Sequence, residues 1–198
     1  AISADKKLAD FGLLEKEQEL ALLAQGKRKA GHDIPKCLHK LFESHAEERP
    51  DSVGLILEES TLTYGELNSR ANQMANFLQK RGVKAGELVA VSLNICENLM
   101  VSLLAIMKVG AAYVPIDPMY PIERIKYILQ DSKARLLVTS EELDQAPGAA
   151  FNIDEKVFVD KDSGAIASQS TEFESFDDPY SRAYVIYTSG STGNPKGV

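Results

Sequence analysis

Short apolar runs alternate with longer amphipathic stretches along most of this 198-residue chain. The stretches between the runs place apolar residues at helical spacing, whereas the runs themselves are short and continuous, as in buried strands. The predicted strands are Val53–Leu57, Leu88–Leu93, Ala112–Ile116, Arg135–Thr139, Val157–Val159 and Ala183–Tyr187. Because parallel strands need helical crossovers, this order predicts an α/β fold with a mainly parallel sheet flanked by helices.

Several predicted helices carry start signals. Thr63 and Glu66 have the spacing of a capping box, so a helix is expected to begin there. Asn94 and Glu97 are predicted to cap the next helix, which is apolar nearly all round and is therefore expected to be buried. Pro121 is predicted to open the following helix at its first turn.

The first part of the chain differs in character. Residues 1 to about 34 form a charged, partly helical lead-in, which is broken between Gly31 and Pro35. A helix is predicted from about Pro35 to Glu48. Its inward side is expected to carry Leu38, Leu41, Phe42 and His45.

Charge and composition exclude several classes of protein. The formal net charge is −7, which argues against nucleic acid or an anionic membrane as the main partner. Residues 141–180 hold eleven acidic and two basic residues, a net charge of −9, and are predicted to form a solvated acidic surface. The longest apolar run, Leu99–Met107, is too short to span a bilayer.

Cysteine and histidine give no sign of a disulfide framework or a metal site. The two cysteines, Cys37 and Cys96, form no paired motif, which fits a reducing cytoplasm. The three histidines lack metal-ligand spacing. No metal-binding residue is therefore predicted in this chain.

The segment from Thr188 to Gly197 is the candidate functional site. It follows a predicted strand directly, and ligands of parallel sheets bind beyond the carboxyl ends of strands. Glycines allow close approach of the backbone, hydroxyls donate hydrogen bonds, and Lys196 adds a positive charge. The predicted phosphate-binding residues are Thr188, Ser189, Gly190, Ser191, Thr192, Gly193 and Lys196.

The spacing of this segment leaves an alternative open. It does not match the usual phosphate loop, in which a lysine and a hydroxyl residue directly follow the last glycine. A flexible Gly/Ser/Thr linker would have a similar composition. The apolar strand before the segment and the Pro195-Lys196-Gly197 ending favour phosphate binding.

Three separated segments together resemble the adenylation domains of nonribosomal peptide synthetases. They are Leu62–Leu67, Met107–Pro118 and Ala183–Gly197, supported by Tyr120–Ile125 and Asp131–Ala134. The last segment looks like the phosphate loop of the wider adenylate-forming superfamily. The resemblance covers about Leu38 to the end of the chain, and Asn98 and Val109 are small departures from it.

The resemblance implies a two-step reaction. The carboxylate of an amino acid attacks the α-phosphorus of ATP, and the resulting aminoacyl adenylate passes its acyl group to the phosphopantetheine thiol of a carrier domain. The loop residues would hold the β- and γ-phosphates with Mg²⁺ present, and Lys196 would be the catalytic cation on the pyrophosphate side. The implied products are peptide antibiotics or other secondary metabolites.

The resemblance also implies how the chain is organised. Residues 1–37 resemble a linker from an upstream condensation domain, and 38–198 resemble the amino-terminal portion of an adenylation domain, truncated after the phosphate loop. The implied partners are an amino acid, the remainder of the domain, and the carrier and condensation domains. The groups that select the amino acid and bind the ribose and metal lie downstream in the family, so the fragment alone is expected to be inactive.

Two alternatives stay open at this point. One is an acid–AMP ligase similar to acyl-CoA synthetases, and the other is a non-catalytic fragment that binds nucleotide or serves as a docking surface. Tyr113, Pro115 and Asp117 are expected to form a strand end and a turn and not to act in catalysis. Tyr184 and Tyr187 are expected to be core aromatics. Glu123 and Arg124 are predicted to form a solvated helix pair.

Overall fold

The computed structural model describes residues 17–18, 37–57, 60–146, 151–188 and 195–198. The chain divides into two compact units, Ala1–Ile34 and Pro35–Val198. All of the elements below belong to the second unit. Within the described ranges, no helix has both the length and the apolar character needed to cross a bilayer.

The second unit alternates helices and strands as the sequence predicts. In chain order the elements are α1 (Leu38–Glu48), β1 (Val53–Leu57), β2 (Ser60–Thr63), α2 (Tyr64–Lys80), β3 (Leu88–Val91), α3 (Glu97–Lys108), β4 (Ala112–Pro115), α4 (Ile122–Ser132), β5 (Leu136–Thr139), α5 (Glu141–Gln145), β6 (Lys156–Phe158), α6 (Ser163–Ala167), β7 (Tyr187–Thr188) and β8 (Lys196–Gly197).

The central sheet has four parallel strands in the order β4-β3-β5-β6. This arrangement confirms the predicted α/β class with a mainly parallel sheet. Strand β2 was not predicted from the sequence; it pairs antiparallel with β1 in a separate two-stranded sheet. The strand expected over Ala183–Tyr187 does not form as predicted. A single parallel bridge joins Tyr184 to Tyr113 of β4, and strand β7 begins at Tyr187 and pairs antiparallel with β8.

Side chains of the sheet alternate between two apolar clusters on its opposite faces. Val89 and Val91 of β3 point into a cluster built largely from helices α2 and α3. Ala90 points into a second cluster, which contains Ile128 of α4 and also Tyr187. This alternation follows from the two-residue period of a strand. The second cluster is therefore the one that reaches the candidate site.

One predicted helix start is correct and one is wrong. The hydroxyl of Thr63 accepts from the backbone N–H of Glu66, whose carboxylate accepts from the N–H of Thr63, so the capping box is present. Asn94 does not cap helix α3, which begins after Cys96 without a side-chain cap. The carboxylate of Glu97 is instead bound by Arg70 of α2, 2.5 Å away.

Helix α1 presents a different face to the core from the one its apolar residues suggested. Leu38 and Leu41 are 55% and 43% exposed, whereas His39 and Ala46 are buried. The ring of His39 donates through Nε2 to the carbonyl oxygen of Phe176, 2.6 Å away. Of the four residues predicted to face inward, Phe42 packs against the core, whereas Leu38, Leu41 and His45 are exposed. Polar contacts therefore help to orient this helix.

A buried ion pair joins α1 to the rest of the unit. Lys108, only 1% exposed, binds the carboxylate of Glu43 and donates to the side-chain oxygen of Asn68 at 2.9 Å. The other oxygen of Glu43 accepts from the Ser175 hydroxyl at 2.9 Å. Burial alone would raise the pKa of Glu43, but the hydrogen bond and charge of Lys108 outweigh it and leave that pKa lowered.

We expect Glu43→Gln to destabilise the protein by about 3–5 kcal/mol, because it leaves the buried ammonium of Lys108 without its counter-charge. The lowered pKa of Glu43 means that its stabilisation is present above the ordinary carboxyl range and is lost as pH falls through the folded-state pKa. Urea unfolding between neutral and acid pH should therefore show a steeper acid dependence in the wild type than in the variant. Glu48→Gln, an exposed site on the same helix, is the control, and equal losses in both variants would contradict the prediction.

Gly110 closes helix α3 where no side chain fits. Its φ is +79°, and a Cβ there would lie 2.6 Å from Cγ of Phe176 and 2.9 Å from Cβ of Ala85. Gly86 has a similar φ of +83°, but a Cβ there would meet nothing within 4 Å. Substitutions at the two positions can therefore separate the cost of backbone strain from the cost of steric overlap.

We expect Gly86→Ala to lower the free energy of unfolding by about 1 kcal/mol through left-handed strain alone. Gly110→Ala should lower the free energy of unfolding by about 3 kcal/mol, since steric overlap with Phe176 and Ala85 adds to the same backbone strain. Denaturant unfolding of both variants measures the difference. Equal losses would show that Phe176 moves aside without appreciable loss of stability.

Candidate functional site

The two ends of the candidate phosphate loop are joined by a short antiparallel pair of strands. Tyr187 of β7 lies opposite Gly197 of β8, and Thr188 lies opposite Lys196. Ile186 and Val198 extend this ladder by exchanging backbone hydrogen bonds of 2.9 and 3.0 Å. The base of the loop is therefore a β-hairpin.

The structure places two of the predicted site residues directly. Thr188 and Lys196 are exposed and occupy paired positions on the two strands. None of the ion pairs between described residues involves Lys196. Outside the described residues lie the other five predicted positions, Ser189, Gly190, Ser191, Thr192 and Gly193. Their contacts with a phosphate stay predictions.

Tyr187 anchors the hairpin to helix α4. The residue is 7% exposed, and its phenol donates to Oδ2 of Asp131 at 2.7 Å. The ring of Tyr127 meets the Tyr187 ring edge-on with centroids 6.5 Å apart. Burial, followed by the hydrogen bond and negative charge of Asp131, raises the pKa of Tyr187, so the phenol keeps its proton and remains a donor.

Arg124 contacts the same tyrosine from another direction. Its Nη2 donates to the carbonyl oxygen of Tyr187 at 3.4 Å, and its guanidinium lies 4.4 Å from the ring centre of Tyr120. The predicted pair of Glu123 and Arg124 is wrong, because Glu123 pairs with Lys126 at 3.0 Å. Adjacent helix positions point about 100° apart, so neighbours in sequence are not neighbours on the helix surface.

A glycine at position 197 allows the hairpin to pack closely. A Cβ there would lie 3.0 Å from Cγ1 of Val185 and 3.2 Å from Cζ of Tyr187. Such distances are shorter than ordinary van der Waals contact, so a side chain would push β8 away from the tyrosine ring. The small residue after Lys196 therefore has a packing reason of its own.

A cavity of about 360 Å³ lies beside the hairpin, at the carboxyl ends of β3 and β4. Its walls are mostly apolar and include Ile95, Pro115, Tyr120, Ile186 and Tyr187. The start of the hairpin, Ile186 and Tyr187, thus borders an apolar recess at the edge where α/β proteins bind ligands.

Residues near the other motif segments have the structural roles that were predicted. Tyr113 and Pro115 lie in β4. The carboxylate of Asp117 accepts from the backbone N–H of Met119 at 2.8 Å, which fixes the turn after that strand. Tyr184 departs from its predicted core position, since it is 46% exposed at the edge of the sheet. Its ring contacts that of Tyr113, with centroids 5.7 Å apart.

No metal site emerges from the described parts of the chain. They contain no group of three or more His, Cys, Asp or Glu side chains that could hold an ion. We accordingly assign no metal ligand to these residues.

Sequence reasoning gave Asp131 and Arg124 no role at this site. Asp131 belongs to one of the segments that carry the family resemblance, so the motif marked it without explaining it. The available signal was the spacing of Arg124 and Asp131. Because they are seven residues apart on one helix, both lie on the same face and can reach an element packed against it.

The match to known families agrees with this geometry. Residues 42–198 match the family described as AMP-binding enzyme. The chain belongs to this family. Together with the relatives described next, this match confirms the prediction made from the three sequence segments.

Curated relatives in this family include large synthetases. The chain is 38% identical over 198 residues to gramicidin S synthase 2 of Aneurinibacillus migulanus, covering 100% of this chain and 4% of the relative. It is 41% identical over 183 residues to gramicidin S synthase 1 of Brevibacillus brevis, covering 92% of this chain and 16% of the relative. It therefore spans a small part of the relatives it matches.

Solved structures show the same fold. The chain superposes on the nonribosomal peptide synthetase FmoA3 with a TM-score of 0.71 and 29% identity, over 84% of this chain and 17% of that one. It superposes on the N-terminal subdomain of Klebsiella oxytoca NpsA with a TM-score of 0.67 and 28% identity, over 82% of this chain and 41% of that one.

We expect Gly197→Val to displace β8 from Tyr187 and loosen the base of the loop. Backbone hydrogen exchange should rise at the hairpin amides, while exchange in the central sheet stays unchanged. Val198→Ala, a change beside the same strand at a residue 79% exposed, is the control. Unchanged exchange in Gly197→Val would show that the hairpin tolerates the added side chain.

Proposed function

We propose that this chain is the amino-terminal part of an adenylation domain that activates an amino acid with ATP. The carboxylate oxygen of the amino acid forms a bond to the α-phosphorus, the bond from that phosphorus to the β-phosphate oxygen breaks, and pyrophosphate leaves. The phosphopantetheine thiol of a carrier domain then attacks the acyl carbon of the adenylate, a thioester C–S bond forms, the acyl C–O bond breaks, and AMP leaves. Membership of the AMP-binding enzyme family and the similarity to gramicidin S synthases support this proposal.

The observation that carries the proposal is the hairpin that pairs Thr188 with Lys196. It brings a hydroxyl and a cation to the two ends of one short loop, beside the carboxyl edge of a parallel sheet. We assign the β- and γ-phosphates of ATP to Thr188, to the loop residues Ser189–Gly193 and to Lys196. Backbone N–H groups and hydroxyls would bind the phosphate oxygens.

Lys196 is the catalytic residue in this proposal. Pyrophosphate gains charge as it leaves, and a cation held beside it lowers the energy of that transition state without a covalent nucleophile. Mg²⁺ bound to the nucleotide would share this charge neutralisation. Lys196 is exposed and is free of ion pairs to other described residues, so its ammonium is available to the phosphates.

We assign the remaining parts of the parent by the same resemblance. Residues 1–37 would link an upstream condensation domain to the adenylation domain that starts at residue 38. The partners would be the rest of that domain and a carrier domain, in a cytoplasmic assembly line for a peptide antibiotic or similar metabolite. The names of the two relatives described above, both gramicidin S synthases, support this assignment.

We expect Lys196→Ala to weaken ATP binding at least about tenfold, because a charged contact to the phosphates is lost. Lys84→Ala is the matched control, since Lys84 is an exposed lysine just before β3, at the opposite edge of the sheet. Calorimetric titration of both variants with ATP measures the effect. Equal affinities for Lys196→Ala and the wild type would reject the phosphate assignment.

The chain by itself should be inactive. We expect no amino-acid-dependent exchange of pyrophosphate into ATP with this chain, and clear exchange with an intact parent that contains it. The reason is that the resemblance places the groups for the amino acid, ribose and metal in other parts of the domain. Exchange by the chain alone would overturn this expectation.

A further inference from the structure

Helix α4 holds a single residue of the hairpin at two separate points. Asp131 accepts a 2.7 Å hydrogen bond from the phenol of Tyr187, and Arg124 donates to the backbone carbonyl of the same residue. Both contacts come from one face of the helix. Neither Asp131 nor Arg124 has a role in the reaction proposed above.

The carbonyl contact matters because of the ladder geometry. Ile186 and Val198 exchange two backbone hydrogen bonds, so the next pair, Tyr187 and Gly197, is a non-hydrogen-bonded pair. The carbonyl of Tyr187 therefore points away from β8 and is free to accept from Arg124. That carbonyl belongs to the same planar peptide unit as the N–H of Thr188. Arg124 thus fixes the peptide plane at the entrance to the loop.

The helix is a rigid support for these contacts. Ile125, Ile128 and Leu129 are buried between α4 and the sheet, so the helix cannot shift without repacking the core. The guanidinium of Arg124 is braced by the ring of Tyr120, 4.4 Å away. The orientation of the hairpin is therefore set by a helix that is itself packed against the central sheet.

We propose that Arg124 and Asp131 are positioning residues for the phosphate loop, acting through Tyr187 to hold Thr188 and Lys196 in their phosphate-binding arrangement. The inference rests on the function proposed above and adds the residues that preorganise its site. A cradle held in place before the ligand arrives binds more tightly, because less conformational freedom is lost on binding. The same contacts are expected to matter less for the stability of the unit as a whole.

The first test is a double-mutant cycle in ATP affinity on this chain. Asp131→Ala and Tyr187→Phe should each weaken ATP binding by about tenfold, and the double variant should lose no more than either single one. Asp131→Asn should restore most of the affinity, because its side-chain oxygen still accepts from the phenol. Glu123→Gln, on the same helix, changes a residue that pairs with Lys126; it is the control and should bind ATP as the wild type does.

Arg124→Met tests the second contact. It keeps an unbranched side chain beside Tyr120 and removes the donor to the Tyr187 carbonyl, so we expect ATP affinity to fall a few-fold with little change in Tm. The proposal would be overturned if the double variant of Asp131 and Tyr187 lost as much ATP affinity as the two single variants combined. Unchanged affinity in all three single variants, or equal losses in Glu123→Gln, would overturn it as well.

Hydrogen exchange separates failure of this inference from failure of the proposed function. Absence of ATP binding by the wild type would count against the nucleotide assignment, and the hairpin amides then report on positioning without a ligand. Asp131→Ala and Arg124→Met should raise exchange at Thr188 and Lys196 while the central sheet stays protected. Exchange at both amides equal to that of the wild type would overturn the positioning role whether or not ATP binds.

Discussion

The burial of Tyr187 is the interaction on which the candidate site depends. Its ring belongs to the apolar cluster between α4 and the sheet, whereas its backbone starts the hairpin that carries Thr188 and Lys196. This one residue therefore belongs to the core through its side chain and to the site through its backbone. The order at the base of the hairpin is therefore linked to the packing of the core.

The sequence predicted the fold well because the fold is governed by periodicity. Apolar runs and helical stretches gave the α/β class, and the capping box at Thr63 and Glu66 gave the start of α2. Prediction failed where polar contacts between distant residues decide the outcome. Helix α1 is oriented by the hydrogen bond of His39 and by the Glu43–Lys108 ion pair, and no local sequence pattern predicts either contact.

The site was predictable as a segment but not as an arrangement. Composition and position after a strand pointed to Thr188 and Lys196, and the structure adds that they lie opposite each other in an antiparallel pair. The roles of Arg124 and Asp131 depend on which helix packs against Tyr187, and that is a tertiary property. A sequence resemblance can mark such residues without giving the contact that explains them.

Residues that support a site need not touch the ligand to matter for it. If α4 fixes the peptide plane between Tyr187 and Thr188, the binding strength of the loop depends on core packing several residues away. This would explain why the segment Asp131–Ala134, which carries the family resemblance, begins on a helix to which the proposal assigns no phosphate contact. Preorganisation then links core packing to ligand binding, since the free energy that orders Thr188 and Lys196 is supplied by folding instead of by binding.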